Sequence, residues 1–356
     1  MPRVPNPSLA DPGAPQPIGP EKPLPAPRDT TKPSRAPRGE GDIALVLPLE
    51  SRDYARAAQA VRDGFLAAAQ AAGETSRVRL IGHGDDNVLG GFAGAQSVGA
   101  HVVVGPLVRD DVRALVASDR PLPLTLALNQ LDDGTPMPPQ VYTLALSVES
   151  DARVLARRMR SDNVRNVAVI GGQAPLMKRF ASAFAAEWLL TGAAPPGAYA
   201  FDATPDGLTL LRRELSRSNA DAALIALDGP AAALARSFVP RLPAYASSLV
   251  NQDLEPATLR DLEGVVFVDV PWVVTPDHPA VARLPRRTMG NLVLDRLYAL
   301  GLDAYAVARA FANGVPDRLE IAGATGRLTL DHGRNFVREG TVAVFRQGVA
   351  VPADVR

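Results

Sequence analysis

The fold class this sequence predicts is α/β: two doubly wound lobes joined by a three-strand hinge, with a C-terminal β-hairpin. Three observations lead there. From 43 to about 321, apolar strand-like runs alternate with helical stretches. The alternation comes as two successive βαβαβ sets of similar size, divided after Ser147, which is how parallel sheets covered by helices are built. The series then breaks. Gly323-Ala324-Thr325-Gly326 leads into Arg327-Leu328-Thr329-Leu330-Asp331, a turn at His332-Gly333 and the strand-like run Val342-Ala343-Val344-Phe345-Arg346. Period-two alternation around a Gly turn predicts a hairpin, and a hairpin after a βα series implies that the chain returns to a sheet it built earlier.

The first set opens at Ile43-Ala44-Leu45-Val46-Leu47-Pro48, apolar throughout as a buried parallel strand requires. Tyr54, Ala58, Val61, Phe65 and Leu66 recur near one face and predict an amphipathic helix over 53–72. Strands over 78–81, 102–104 and 122–126 alternate with helices over 88–98 and 109–117, and an edge strand near 141–144 completes the group. In the second set, helices over 149–160, 176–190, 205–218 and 231–239 alternate with strands over 166–170, 198–201, 222–226, 243–246 and 264–268. A helix over 291–312 follows, with Leu294, Leu297, Tyr298, Leu300 and Ala308 on its apolar face.

The Pro-rich run over 271–285 is long enough to carry the chain back to the first lobe, and the hairpin then crosses again. Three crossings make a hinge about which lobes open and close over a cleft. The predicted division is 42–146 plus 273–320 for lobe 1 and 147–272 plus 321–356 for lobe 2. Residues 1–41 are Pro-rich and nearly free of large apolar side chains. Such a segment cannot offset its ordering entropy, so a disordered, polyproline-like tether is expected there.

Composition narrows the function. The 38 basic and 38 acidic residues balance, so no global field favours nucleic acid or an acidic membrane surface. With no cysteine, disulfides, Cys-ligated metals and a thiol nucleophile are excluded. No apolar run is long enough to span a bilayer. Met1-Pro2-Arg3-Val4-Pro5 carries no apolar signal core, which fits either a cytoplasmic protein or a processed mature form.

A resemblance gathers these observations. Ile43-Ala44-Leu45-Val46-Leu47-Pro48-Leu49, Ala60-Val61-Arg62-Asp63-Gly64-Phe65 and Val102-Val103-Val104-Gly105-Pro106-Leu107 resemble the first lobe of type I periplasmic binding proteins. Leu126-Ala127-Leu128-Asn129, Leu262-Glu263-Gly264-Val265, Asp269-Val270-Pro271-Trp272 and Leu297-Tyr298-Ala299-Leu300-Gly301-Leu302-Asp303-Ala304-Tyr305 are similar to the C-terminal domain of LpoA-type penicillin-binding protein activators. So is Gly323-Ala324-Thr325-Gly326 with Leu328-Thr329-Leu330-Asp331, and the resemblance spans 42–350. It implies an outer-membrane lipoprotein that faces the periplasm and stimulates a class A, bifunctional peptidoglycan synthase. Its contact with membrane would be an N-terminal lipid anchor that this chain does not carry. The alternative is a periplasmic solute-binding protein for an amino acid or small polar metabolite. An enzyme with an unfamiliar site is a third reading.

Candidate cleft residues sit at strand ends, where open α/β sheets bind ligands. Leu49, Glu50 and Ser51 follow the first strand. Solute-binding relatives often carry Ser-Gly there, whereas Glu50 would repel a ligand carboxylate, and Asp53 is expected to cap the next helix. Gly105 and Pro106 close the third strand, and Asn129 follows the fourth. Asp228, Ser247 and Ser248 occupy equivalent ends in the second lobe, and Trp272 follows its last strand. Each has an ordinary structural role as an alternative: turn, cap, or packing beneath a crossover. No cofactor or metal is expected. His83, His101, His278 and His332 lack ligand spacing. Gly90-Gly91-Phe92-Ala93-Gly94 lies within a helical stretch, and Gly171-Gly172-Gln173 lacks the Lys of a phosphate loop. No nucleophile elbow is visible, so no catalytic residue is assigned.

Overall fold

The computed structural model describes residues 42–131, 135–239 and 241–353, and the expected tether over 1–41 lies outside the described residues. The first lobe contains β1 (Ile43–Leu47), α1 (Ala55–Ala71), β2 (Val78–Gly82), α2 (Val88–Ser97), β3 (Val102–Val104), α3 (Arg109–Val116), β4 (Leu124–Ala127) and β5 (Val141–Thr143). Its sheet runs β2-β1-β3-β4-β5 with every pair parallel. That order reverses direction between β1 and β3, which opens a crevice at the carboxyl ends of the strands.

The second lobe contains α4 (Val148–Ser161), β6 (Val167–Gly171), α5 (Pro175–Leu190), β7 (Gly197–Ala200), α6 (Pro205–Arg217), β8 (Ala222–Ala226), α7 (Gly229–Arg236), β9 (Ala244–Ala246), α8 (Pro256–Asp261) and β10 (Val266–Asp269). Then come α9 (Pro271–Val274), α10 (Pro279–Ala282), α11 (Leu292–Phe311), β11 (Glu320–Ala322), β12 (Arg327–Leu330), β13 (Phe336–Glu339), β14 (Thr341–Arg346) and β15 (Val349–Pro352). The second sheet runs β15-β14-β10-β9-β8-β6-β7. Its β6 to β10 strands are parallel, and β14 and β15 join antiparallel. Among the described residues no helix is long and apolar enough to cross a membrane.

One pairing differs from the sequence reading. The run at 327–331 does not pair with 342–346. Instead β12 pairs with β11 and β13 in a separate three-stranded antiparallel sheet, and β14 pairs with β10 and β15. The cause is local. Asp331 and Asn335 close a tight turn, the Asn335 N–H donating to Asp331 Oδ1 at 2.7 Å and the Asp331 N–H to Asn335 O at 2.9 Å. That turn returns the next few residues to β12 at a smaller loop-closure cost than the distant run. Residues 321–339, which the sequence reading gave to the second lobe, put Leu328 and Phe336 into the first lobe's core, whereas Ala343 and Phe345 of β14 enter the second lobe's core.

The chain therefore crosses between lobes at 144–147, at Val270 and at Gly340. Above these crossings, α11 lies along α1. A Cβ on Gly64 would collide with Tyr298 O, and one on Gly301 with Val61 O, so the two glycines let the helix backbones touch. Tyr305 packs its ring edge-on to Phe65 with centroids 5.3 Å apart.

Candidate functional site

The crossings are tied by buried charges. Asp151 on α4 and Arg338 on β13 form an ion pair, each at most 3% exposed. Arg338 Nη1 also donates to Thr325 O at 3.2 Å, and Ser248 Oγ donates to Asp151 Oδ2 at 3.1 Å. Burial pushes the Asp151 carboxyl up, and Arg338 opposes that. Nearby, Arg296 of α11 grips Asp269 through Nε at 2.8 Å and Nη2 at 2.7 Å, and Nη2 also reaches Asn251 O at 2.6 Å. Both pairs join one lobe to the other. Asp303 of α11 holds the Gly-Ala-Thr-Gly turn by accepting from Ala324 N at 2.7 Å, Thr325 N at 2.8 Å and Thr325 Oγ1 at 2.5 Å. Burial raises the Asp303 carboxyl to about 6 against those hydrogen bonds.

Two cavities open beside this frame. One, of 380 Å³, lies between the lobes and is lined by Leu107, Asn129, Leu146, Leu176, Leu297 and Arg179 among others. The other, of 890 Å³, runs from Gln130 and Met137 past Glu149, Arg153 and Lys178 to Arg334. They share Gln130 and Arg179. Arg179 pairs with Glu149 at 2.6 Å, and Arg109 Nε donates to Gln130 O at 3.2 Å, so the boundary between the cavities is braced.

Of the sequence candidates, Asn129 alone lines either of these two cavities. Leu49 is half-buried against the first core, and Glu50 is exposed, its N–H donating to His83 O at 3.1 Å. Ser51 is buried, and its Oγ accepts from the N–H groups of Asp53 at 3.3 Å and Tyr54 at 3.2 Å. The cap expected from Asp53 is not made: α1 starts from Tyr54 without a side-chain cap, and the Ser51 hydroxyl instead folds back over the turn before the helix. Gly105 and Pro106 are buried; Gly105 has φ +119° and its bare Cα faces Val46 O, so a Cβ there would clash with the first strand.

Asn129 reaches the smaller cavity, but its Nδ2 donates to Leu107 O at 3.0 Å and its Oδ1 accepts from Gln130 N at 2.9 Å. Asp228 caps α7 through Ala231 N at 3.1 Å. Ser247 is fully buried and accepts from Leu249 N at 3.3 Å, while Ser248 belongs to the hinge pair described above. Trp272 is 4% exposed, with the Arg286 guanidinium 3.9 Å above its ring and Tyr298 beside it.

Among the described residues no group of His, Asp and Glu is arranged to hold a metal ion. The sequence reading did not single out the charged hinge set or the Arg179–Glu149 brace. One signal was present: Asp269 closes the apolar run Val266-Phe267-Val268, and Asp303 interrupts Leu300-Gly301-Leu302, positions where an unpaired carboxylate is costly.

Two doubly wound lobes hinged over a cleft define the type I periplasmic-binding-protein class, and solved structures bear this out. A putative branched-chain amino acid ABC transporter from Chromobacterium violaceum is 36% identical with a TM-score of 0.74, covering 85% of this chain and 99% of that one. The LpoA C-domain from Haemophilus influenzae, a regulator of PBP1A, is 25% identical with a TM-score of 0.74, covering 88% and 99%. The sequence matches the family "LppC putative lipoprotein" over residues 38–206 and 206–348, and the chain belongs to that family. Penicillin-binding protein activator LpoA of Haemophilus influenzae is 27% identical over 322 residues, 87% of this chain and 55% of that protein. The counterpart in Mannheimia succiniciproducens is 28% identical with the same coverage. This chain thus spans about half the length of the curated relatives it matches.

Proposed function

We propose that this protein is a cell-envelope regulator, facing the periplasm and held to the outer membrane by a lipidated N-terminus. It stimulates a class A peptidoglycan synthase by surface contact and catalyses no step itself. The observation that carries this reading is the state of the polar groups at the strand ends. Ser51, Asn129, Asp228, Ser247 and Ser248 all bond to their own chain. A solute site needs a few convergent polar groups left for the ligand. The LpoA relatives match across both lobes and are named as activators. Purified protein mixed with a class A synthase is expected to be retained in a pull-down and to raise the rate of glycan polymerisation. No retention together with an unchanged rate overturns the reading.

A second reading, a solute-binding protein for an amino acid or small polar metabolite, draws on the 36% identity to the transporter protein and on the apolar lining of the 380 Å³ cavity. Thermal shift across amino acids and cell-wall fragments separates the two. Micromolar binding of one solute with lobe closure favours the solute binder; a flat panel favours the regulator.

A further inference from the structure

We infer that His83 and Asp111 form a proton-operated latch, which closes when the pair takes up one proton and draws the start of α3 towards the end of β1. The latch belongs to the first lobe's own mechanics and stands apart from the regulator reading.

His83 opens the connection between β2 and α2. Its backbone is fixed on both sides, the N–H donating to Leu47 O at 3.1 Å and the carbonyl accepting from Glu50 N at 3.1 Å. The side chain is 1% exposed and lies against α2, where a Cβ on Gly91 would stand 3.7 Å from the ring. Nδ1 is 2.9 Å from Gly84 O. A carbonyl oxygen only accepts, so Nδ1 carries the hydrogen, and the neutral ring leaves Nε2 a bare acceptor. That Nε2 is buried without a hydrogen-bond partner among the described residues. In a ring that served packing alone, such an acceptor is a lasting cost.

What Nε2 faces is a second acceptor. Asp111 Oδ2, in the first turn of α3, is 4.0 Å away. One proton, on either partner, converts this contact into a charge-assisted hydrogen bond about 2.7–2.9 Å long, so the gap has to close by roughly 1 Å.

The surrounding charges favour that proton. Asp85 and Asp86 lie on the same connection as His83, Glu50 lies on the β1–α1 connection beside Gly82, and Asp110 precedes Asp111 on α3. Two cations stand on α3: Arg113 pairs with Asp110 at 2.9 Å, and Arg109 Nε donates to Gln130 O at 3.2 Å. The other elements against the ring, β1 and α2, carry no titratable side chain. Burial pushes the Asp111 carboxyl up; His83 opposes this, and Asp110, Asp86 and Asp85 add to it.

Because His83 is sewn to β1, closing the gap moves the side of α3. Leu107, Val108, Arg109 and Asp110, at the start of that helix, line the 380 Å³ cavity between the lobes. Val112 belongs to the small cluster against which Leu131 and Met137 pack, and both of those line the 890 Å³ groove. The latch therefore makes the shape of the interlobe cavity depend on pH.

The test is a titration of the intact protein over about pH 5–8, where an imidazole changes charge, read by nitrogen NMR of rings and backbone amides. His83→Gln assigns the ring signal. On acidification Nε2 of His83 is expected to pass from a bare to a protonated nitrogen, and the amides of Arg109, Asp110 and Gln130 to shift with the same midpoint. In Asp111→Asn those amide shifts should be lost, while His101, His278 and His332 titrate as before and report an unaltered fold. Amides that shift equally in Asp111→Asn overturn the latch. So does a wild-type protein in which Nε2 stays bare, or in which the α3 amides ignore the ring's midpoint; that arm decides alone if the variant does not fold.

Discussion

The hinge and the groove beside it draw on the same residue types and use them in opposite ways. In the hinge, Arg338 and Arg296 are buried, and each faces a buried aspartate across the lobe boundary. In the groove, Arg153, Lys178 and Arg334 are partly or fully exposed and have only neutral partners. A buried pair can be broken only by leaving a charge uncompensated, which costs far more than the pair gains when whole. An exposed cation with a neutral partner gives up little when an anion arrives. The difference teaches where this protein's charges are committed: the hinge pairs tie one lobe to the other, whereas the cations on the flank of the second lobe are held by neutral groups alone among the described residues.

The largest expected effect breaks the hinge half of that contrast. Arg338→Met leaves Asp151 buried without its partner and should cost about 3–5 kcal/mol in guanidinium unfolding. Adding Asp151→Leu should recover part of the loss; a double variant as weak as the single would show that charge burial is not the cause. Next is pH. Asp303 in the folded protein titrates near 6, above its ordinary value of 3.8. As pH rises through that window the unfolded chain releases its proton first, so stability falls by about 3 kcal/mol in total, most of it present below the window and gone above it. Urea midpoints measured from pH 4 to pH 7 should show this fall relative to Asp303→Asn, whose curve lacks that step.

Smaller effects sharpen the comparison. Gly301→Ala forces a methyl into the α1 backbone and should cost about 1–3 kcal/mol, read as a lower thermal midpoint. Ser51→Ala removes the turn over the start of α1 and should cost about 1 kcal/mol without altering retention of the synthase, since that hydroxyl faces its own backbone. Smallest is Arg153→Gln, expected to leave stability within about 0.5 kcal/mol in thermal unfolding. A large stability loss there would show that its bond to Ser150 matters as much as the buried hinge pairs.

Most of the strand and helix order from β1 to β10, and α11, was legible because it depends on short-range periodicity, whereas β11, β13 and β15 were not read. Val102–Val104 and Ala222–Ala226 lie where continuous apolar runs put them. The candidate site was less legible. Ser51, Asn129 and Asp228 stand at the right strand ends, but whether a hydroxyl or amide points to ligand or to its own backbone is settled by a turn's geometry within a few ångströms. Lys178 and Arg334 are ordinary surface cations in sequence, and only folding puts them on one groove.

The sequence by itself determined the two-lobe α/β plan, because each strand and helix is specified by spacing within its own segment. Only the tertiary structure decided that β12 turns onto β13 while β14 extends the second sheet, that Arg338 reaches Asp151, and that Arg296 reaches Asp269. Those partners are far apart in the chain. Their pairing depends on which buried charge can be neutralised once the cores have closed, and no local pattern carries that information.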